Sequence, residues 1–137
     1  MSDWIGPRAA GQEQAYEGLL GDISEGVRLH YDEPGEDPDL ALLRGDMLYA
    51  RGLSTLAELG DVEATAELAD VISLVAQARA AGDVELARAV WEAGAVAVGW
   101  GADQSYERAK ELARAQAPGA IEALLEAASL ARRRPAD

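Results

Sequence analysis

The sequence contains no cysteine and no phenylalanine, and it has a single histidine and few aromatic residues (5%). Without cysteine, the chain cannot form structural disulfides, thiolate nucleophiles or cysteine-ligated metal sites. One histidine, His30, cannot supply a zinc site that needs two. Because 49% of the residues are nevertheless hydrophobic, the core must be built from Ala, Leu and Val, which suits closely packed helices.

Basic side chains are also scarce, since 12 Lys and Arg stand against 25 Asp and Glu and the net charge is −13. Nucleic acids and anionic membrane surfaces attract basic patches, so this balance argues against both and favours a basic partner. No N-terminal segment has the pattern of a secretory signal, and no apolar run reaches the roughly 20 residues that cross a membrane. We therefore expect a cytoplasmic protein without a membrane span.

Apolar residues recur at helical spacing along most of the chain, and no strand-like alternation is visible. The pattern predicts an all-α protein, a compact bundle of five or six short antiparallel helices. Residues 1–10 are expected to form an N-terminal tail, and residues 11–134 a single helical domain. The string Gly-Asp-Val-Glu occurs at residues 60–63 and again at 82–85. In each copy glycine is expected to end one helix and aspartate to cap the next.

The clearest predicted helix runs from residue 37 to residue 60. Asp37 and Pro38 fit the N-cap and the first helical position, and Gly60 fits the left-handed residue that closes a helix. One face of this helix consists of Leu40, Leu43, Met47, Ala50, Ser54 and Ala57. A second face consists of Leu42, Tyr49, Leu53 and Leu56. Apolar residues on two faces predict a helix surrounded by others, around which the rest of the chain is organised.

The same helix contains the candidate site, which we interpret as an interface or a buried polar site. Its residues are Gly45, Asp46, Tyr49, Arg51 and Gly52. Gly45 and Gly52 lie on one side of the helix, and each glycine inside a helix costs about 1 kcal/mol relative to alanine. The pair therefore predicts that a neighbouring backbone comes close, in the simplest case through ordinary helix packing.

Asp46 stands inside an otherwise apolar helix. A buried charge needs partners, because burying it alone costs several kcal/mol. Arg44, Arg51 and Asp70 are the expected neighbours, and the arginines could satisfy the carboxylate. Two interpretations stay open: an ion pair between helices, or a pair of Asp46 and Arg51 that faces a cleft or a partner subunit.

The sequence predicts no catalytic residue, no metal ligand and no cofactor. The acidic stretch from Tyr31 to Asp39 could hold Mg²⁺ or Ca²⁺, which prefer oxygen ligands, but it lacks the order of an EF-hand and is more simply a solvated loop. His30 is interpreted as an ordinary, half-exposed histidine, because no nucleophile-elbow sequence accompanies it.

One family resemblance is present. The segment Gly45-Asp46-Met47-Leu48-Tyr49-Ala50-Arg51, followed by Leu56-Ala57-Glu58-Leu59-Gly60-Asp61, resembles the GD-x-L-x-A-R … LAELGD helix of trans-isoprenyl diphosphate synthases, and looser similarity extends it over residues 44–82. That family is all-α and condenses allylic diphosphates with isopentenyl diphosphate. Its catalytic members hold Mg²⁺ through two aspartate-rich motifs, which this chain lacks. The resemblance therefore implies a non-catalytic, small-subunit-like protein that supports a catalytic prenyl diphosphate synthase.

Three functions follow as hypotheses. The first is this accessory or regulatory subunit, whose protein partner would be a catalytic prenyl synthase. The second is an unrelated acidic, all-α interaction module that forms homo-oligomers. The third is a small enzyme or ligand-binding protein with Asp46, Arg51, His30 and Tyr49 around a pocket.

Overall fold

The computed structural model describes residues 3–32 and 37–135. Within these ranges the chain forms six α-helices and no strand, which confirms the all-α prediction. The helices are α1 (Glu13–Tyr31), α2 (Pro38–Leu59), α3 (Val62–Ala80), α4 (Val84–Trp100), α5 (Gln104–Arg114) and α6 (Ala120–Arg132). A single 3₁₀ turn, Pro7–Ala9, precedes them. No helix of the described ranges is long and apolar enough to cross a membrane.

The chain divides into two compact units. One is Gln12–Thr65, and the other combines Met1–Gly11 with Ala66–Asp137. We call them the α1–α2 unit and the α4–α6 unit. The assignment of residues 11–134 to a single domain stays a prediction.

Helix ends lie where capping residues predicted them. The Asp37 carboxylate accepts a hydrogen bond from the Asp39 backbone N–H at the start of α2, and Gly60 ends the helix with φ 74°. The two Gly-Asp-Val-Glu strings behave alike, because Asp61 and Asp83 each accept from the backbone N–H three residues on, both at 3.0 Å. These contacts satisfy amide groups that the first turn of a helix leaves without partners.

In the α1–α2 unit, α1 and α2 pack directly against each other. The inward side of α1 consists of Tyr16, Leu19, Leu20, Ile23 and Gly26, which are all buried. The buried residues of α2 are Ala41, Gly45, Gly52 and Leu56. Glycines on both helices lie at the contact, where Gly26 meets Tyr49 and Gly52 meets Ile23, and this lets the two helices lie close together.

In the α4–α6 unit, α4 is the central helix. Twelve of its 17 residues are buried, and it contacts α5, α6 and the Pro7–Ala9 turn. Near the N-terminus, the Trp4 ring meets the Trp91 ring edge-on with centroids 5.4 Å apart, and the Trp4 indole N–H donates to Glu92 at 2.9 Å. The described part of the predicted tail is thus packed against α4.

The expectation that α2 is surrounded by other helices is wrong. Four of its 22 residues are buried, whereas Leu43 and Met47 are 57% and 62% exposed. The helix does carry two apolar faces, as predicted, but one of them faces solvent. The helix enclosed on most sides is α4, because its dense run of alanine, valine and glycine permits close neighbours all round.

Candidate functional site

The outer face of α2 exposes several large apolar side chains. It consists of Leu40, Leu43, Met47, Ala50, Ser54 and Ala57, all exposed, and we call it the α2 seam. The residues follow one another at intervals of three, four, three, four and three. This spacing is that of a coiled-coil seam, whose a and d positions pack against a partner helix.

Gly45 and Gly52, two of the predicted site residues, lie on the opposite side of α2 and face α1. A Cβ atom on Gly45 would lie 3.1 Å from the Gly26 carbonyl oxygen, and one on Gly52 would lie 3.1 Å from the Leu19 carbonyl oxygen. The prediction that a neighbouring backbone comes close at these glycines is confirmed. The two glycines let α2 pack closely against α1, so the α2 seam lies on the side of α2 that faces away from α1.

Asp46 is exposed, and among the residues that the structure describes it pairs with His30 rather than with an arginine. Its Oδ1 atom lies 2.8 Å from His30 Nε2, and its side chain is 66% exposed. Asp70, which the sequence placed near it, pairs with Lys110 and Arg114 in the α4–α6 unit instead. Sequence reasoning placed His30 at a helix end but did not connect it with Asp46, because the pairing depends on how α1 and α2 cross.

Tyr49 lies beside this pair. Its ring stacks at a tilt on the His30 ring, with centroids 4.9 Å apart, and its hydroxyl has no hydrogen-bond partner among the described residues. Burial raises the pKa of the Tyr49 phenol, and the nearby Tyr31 and Asp46 raise it further. The phenol is therefore neutral at physiological pH and fills space between the helices.

Arg51 lies on the other flank of the seam from Asp46. Its guanidinium makes two hydrogen bonds of 2.8 Å to the Asp22 carboxylate of α1, and this raises the pKa of Arg51. His30, Asp46 and Tyr49 thus come together, but Arg51 belongs to a separate ion pair. The arrangement does not gather the four residues around one pocket.

An open groove of about 580 Å³ runs between α1 and α2 next to the seam. Its walls consist of Glu25, Arg28, Leu29, Arg44, Met47, Leu48, Ala50 and Arg51. Arg28 hydrogen-bonds to Glu25 on the same helix, and this bond lowers the pKa of Glu25. The groove offers an apolar floor with charged edges, which is the composition of a surface that receives side chains of a partner.

Sequence reasoning missed a buried ion cluster in the α4–α6 unit. Lys110 is 4% exposed, and its ammonium lies 2.9 Å from a carboxylate oxygen of Glu67 and 2.9 Å from one of Asp70. The Tyr106 hydroxyl donates to Glu67 at 2.5 Å. The signal that could have found it was spacing, since Tyr106 and Lys110 share a helix face, as do Glu67 and Asp70.

The charged side chains of this cluster stabilise one another's charged forms. Burial disfavours the charged form of Lys110, but hydrogen bonds from its ammonium to Asp70 and Glu67 outweigh that effect and raise its pKa. Burial likewise opposes the charge on Asp70, yet hydrogen bonds from Lys110 and Arg114 lower its pKa. Each charged side chain of the cluster contacts at least one of opposite charge, and these contacts hold α5 against α3.

No group of three or more Asp, Glu or His side chains within residues 3–32 and 37–135 is placed to hold a metal ion. The acidic stretch from Tyr31 to Asp39 is described in part, because residues 33–36 lie outside the described ranges. The suggestion of a cation at that loop stays a prediction.

Comparisons with protein-family models, with curated proteins and with solved structures find no match to this chain. The α2 seam and the adjacent groove are therefore interpreted from their own geometry, and the resemblance over residues 44–82 stays a hypothesis.

Proposed function

We propose that this protein is a non-catalytic helical interaction module that binds a partner helix along the α2 seam. One observation carries the proposal: the a and d positions of a heptad pattern, five apolar residues and one serine, face solvent over about five turns of a helix. Exposed leucine and methionine in a continuous stripe mark an interaction surface, whereas single exposed apolar residues do not. An amphipathic partner helix would cover the seam, as in other helix-on-helix docking.

The way α2 is held supports this role. Its glycine face is fixed against α1, so the seam is presented on a packed two-helix support and little ordering is needed on binding. The groove beside Met47 and Leu48 can receive side chains from the partner helix. Asp46 and Arg51, which the sequence singled out, contact His30 and Asp22 of α1 at the flanks of the seam.

A catalytic prenyl diphosphate synthase is a second candidate as partner. The residues that resemble that family lie mainly on α2, the same helix that exposes the seam. An accessory subunit of such an enzyme would need an exposed apolar helix face. Near-equal recovery of a synthase with this protein, together with a changed product chain length, would support that function.

The test of the proposed function is a site-specific photocrosslinker at position 47, compared with the same crosslinker at position 125. Leu125 is also exposed (46%) but lies on α6. Crosslinking from position 47 should capture a helical partner, either another protein or a second copy. The double substitution Leu43→Gln with Ser54→Lys should reduce that capture at least tenfold, while Leu125→Gln with Leu130→Gln should leave it unchanged.

Both seam substitutions keep residues that suit a helix, so circular dichroism and the thermal midpoint should change little. Equal capture from positions 47 and 125, or capture that the seam substitutions do not affect, would contradict the proposed function.

A further inference from the structure

We infer that the partner of the α2 seam is the α2 helix of a second copy of this chain, paired in parallel and in register. The inference rests on the proposed function and adds the occupant and its orientation. It is carried by charges on the flanks of the seam, which are complementary in this one arrangement.

The heptad pattern assigns those flanks. Leu40, Met47 and Ser54 occupy a positions, and Leu43, Ala50 and Ala57 occupy d positions. The g positions, one residue before each a, then include Asp39 and Asp46, and the e positions, one residue after each d, include Arg44 and Arg51. Charges at e and g set the partner and the orientation of a coiled coil.

In a parallel pair, a g residue faces the e residue five positions later on the other helix. Asp39 then faces Arg44 of the second copy, and Asp46 faces Arg51 of the second copy. Two-fold symmetry repeats both contacts, so four ion pairs flank the seam. Asp46 and Arg51 are each 66% exposed in the single chain, and a guanidinium has enough donors to keep its bond to Asp22 as well.

An antiparallel pair of the same helices is disfavoured. If the two seams run in opposite directions with their centres aligned, Leu43 lies opposite Ser54 of the second copy. This alignment also brings Arg44 close to Arg51 of the second copy, and the symmetry repeats this contact. Like charges placed side by side oppose that orientation.

The balance of charge along the seam also favours a second copy. Residues 39–57 contain two aspartates and two arginines and no other charged residue, so their net charge is zero, although the chain carries −13. A strongly basic partner would therefore gain little electrostatic attraction along the seam. The acidic surfaces of two copies repel each other, but this stretch adds no repulsion because its net charge is zero. Repulsion between more distant charges is screened, since the Debye length is about 8 Å at physiological salt.

The packing along the seam suits two helices. Leu40, Leu43 and Met47 supply large side chains in the first half, and Ala50, Ser54 and Ala57 let the helices approach closely in the second half. The seam from residue 40 to 57 spans about 26 Å at 1.5 Å per residue, which is long enough for two and a half heptads.

Disulfide trapping tests the orientation directly, because the natural chain has no cysteine. In the parallel register, Leu43→Cys should crosslink to itself, and so should Ser54→Cys, since identical positions meet within disulfide range. In the antiparallel register neither variant crosslinks to itself, and a mixture of the two forms a mixed disulfide. Preference for the mixed disulfide would overturn the parallel arrangement.

Charge exchange tests the flanking pairs. Asp39→Arg alone and Arg44→Glu alone should each weaken the dimer about fivefold, because each homodimer then contains two like-charge contacts. Mixing these two variants should favour the heterodimer over the statistical proportion, since both contacts are then restored. Glu126→Arg mixed with Arg88→Glu makes the same charge changes away from α2 and should give the statistical proportion.

Sedimentation equilibrium separates this inference from the proposed function. The wild-type protein should self-associate, and Leu43→Gln should weaken the dimer at least tenfold. If the wild type stays monomeric at several hundred micromolar while position 47 still crosslinks to a different protein, the second-copy inference fails and the proposed function stands. If it stays monomeric and position 47 captures nothing, both fail.

Discussion

Gly26 of α1 and Gly45 of α2 face each other's backbone. A Cβ atom on Gly26 would lie 3.0 Å from the Gly45 carbonyl oxygen, and one on Gly45 would lie 3.1 Å from the Gly26 carbonyl oxygen. A Cβ on either residue would also overlap an aromatic ring, that of Tyr49 or His30. The absence of both side chains is therefore what sets the distance between the helices.

We expect Gly45→Ala to destabilise the protein by about 2 kcal/mol, because an added methyl group in a close-packed contact forces the helices or the His30 ring to shift. Gly18→Ala is the matched control, since Gly18 lies within α1 and a Cβ atom there would have no neighbour within 4 Å. That change should stabilise the protein by roughly 0.5–1 kcal/mol through helix propensity. Urea unfolding measures both. Similar gains in stability from both variants would show that the helices do not approach at Gly45.

The two Gly-Asp-Val-Glu strings provide an internal comparison of caps. Asp83 caps α4, and its substitution to alanine should cost about 1 kcal/mol. Asp61 caps α3 and also accepts a hydrogen bond of 2.7 Å from the buried Tyr16 hydroxyl. We expect Asp61→Ala to cost about 1 kcal/mol more than Asp83→Ala, because it also removes the Tyr16–Asp61 hydrogen bond.

A double-mutant cycle tests whether the extra cost of Asp61→Ala comes from the Tyr16–Asp61 hydrogen bond. Tyr16→Phe should be non-additive with Asp61→Ala and additive with Asp83→Ala, measured as free energies of unfolding. Additivity in both cycles would mean that the Tyr16–Asp61 bond contributes nothing to stability.

The buried cluster at Lys110 should be sensitive to the loss of its cation. Lys110→Met leaves the partly buried Glu67 and Asp70 carboxylates without the ammonium between them, and we expect a loss of about 3 kcal/mol. Arg114→Met removes a cation that is 40% exposed and should cost less than about 1 kcal/mol. Equal losses from the two variants in urea unfolding would contradict the buried position of Lys110.

The same cluster predicts how stability depends on pH. The pKa of Asp70 is lowered from 3.8 in the folded protein, so its contribution is present above 3.8 and is lost as pH falls through the folded pKa. The pKa of Lys110 is raised from 10.5, so its contribution is present below 10.5 and is lost as pH rises through the folded pKa. The difference in stability between wild type and Lys110→Met should therefore be largest near neutral pH and shrink toward both extremes, since acid also neutralises the two carboxylates that lose Lys110 in the variant.

Trp4 should contribute to the stability of the α4–α6 unit. Trp4→Ala removes both the ring contact with Trp91 and the hydrogen bond to Glu92, and an aromatic pair of this geometry contributes about 1 kcal/mol beyond the buried area. We expect a loss of about 2 kcal/mol and a reduced near-ultraviolet circular dichroism signal. Trp4→Phe keeps an aromatic ring without the N–H donor and should lose less than half as much. An unchanged unfolding midpoint in Trp4→Ala would show that residues 3–10 do not stabilise α4.

The local features of the fold were predictable from the sequence. The ends of α2 follow from Asp37, Pro38 and Gly60, because capping depends on residues within one turn of the helix end. The close approach at Gly45 and Gly52 was also predictable, since two glycines in a helix interior cost stability unless another backbone lies against them. The two apolar faces of α2 follow from helical periodicity alone.

Contacts between helices were decided by tertiary structure. The sequence cannot tell which of two apolar faces is covered, because that depends on which neighbour packs there, and the face of Leu40, Leu43 and Met47 is the one that faces solvent. The partners of Asp46, Arg51 and Lys110 are His30, Asp22 and the Glu67–Asp70 pair, each on a different helix from its partner. The sequence by itself determined the helices, their caps and the close approach at the glycines. The exposure of the α2 seam depends on which side of α2 packs against α1, and only the tertiary structure decided that.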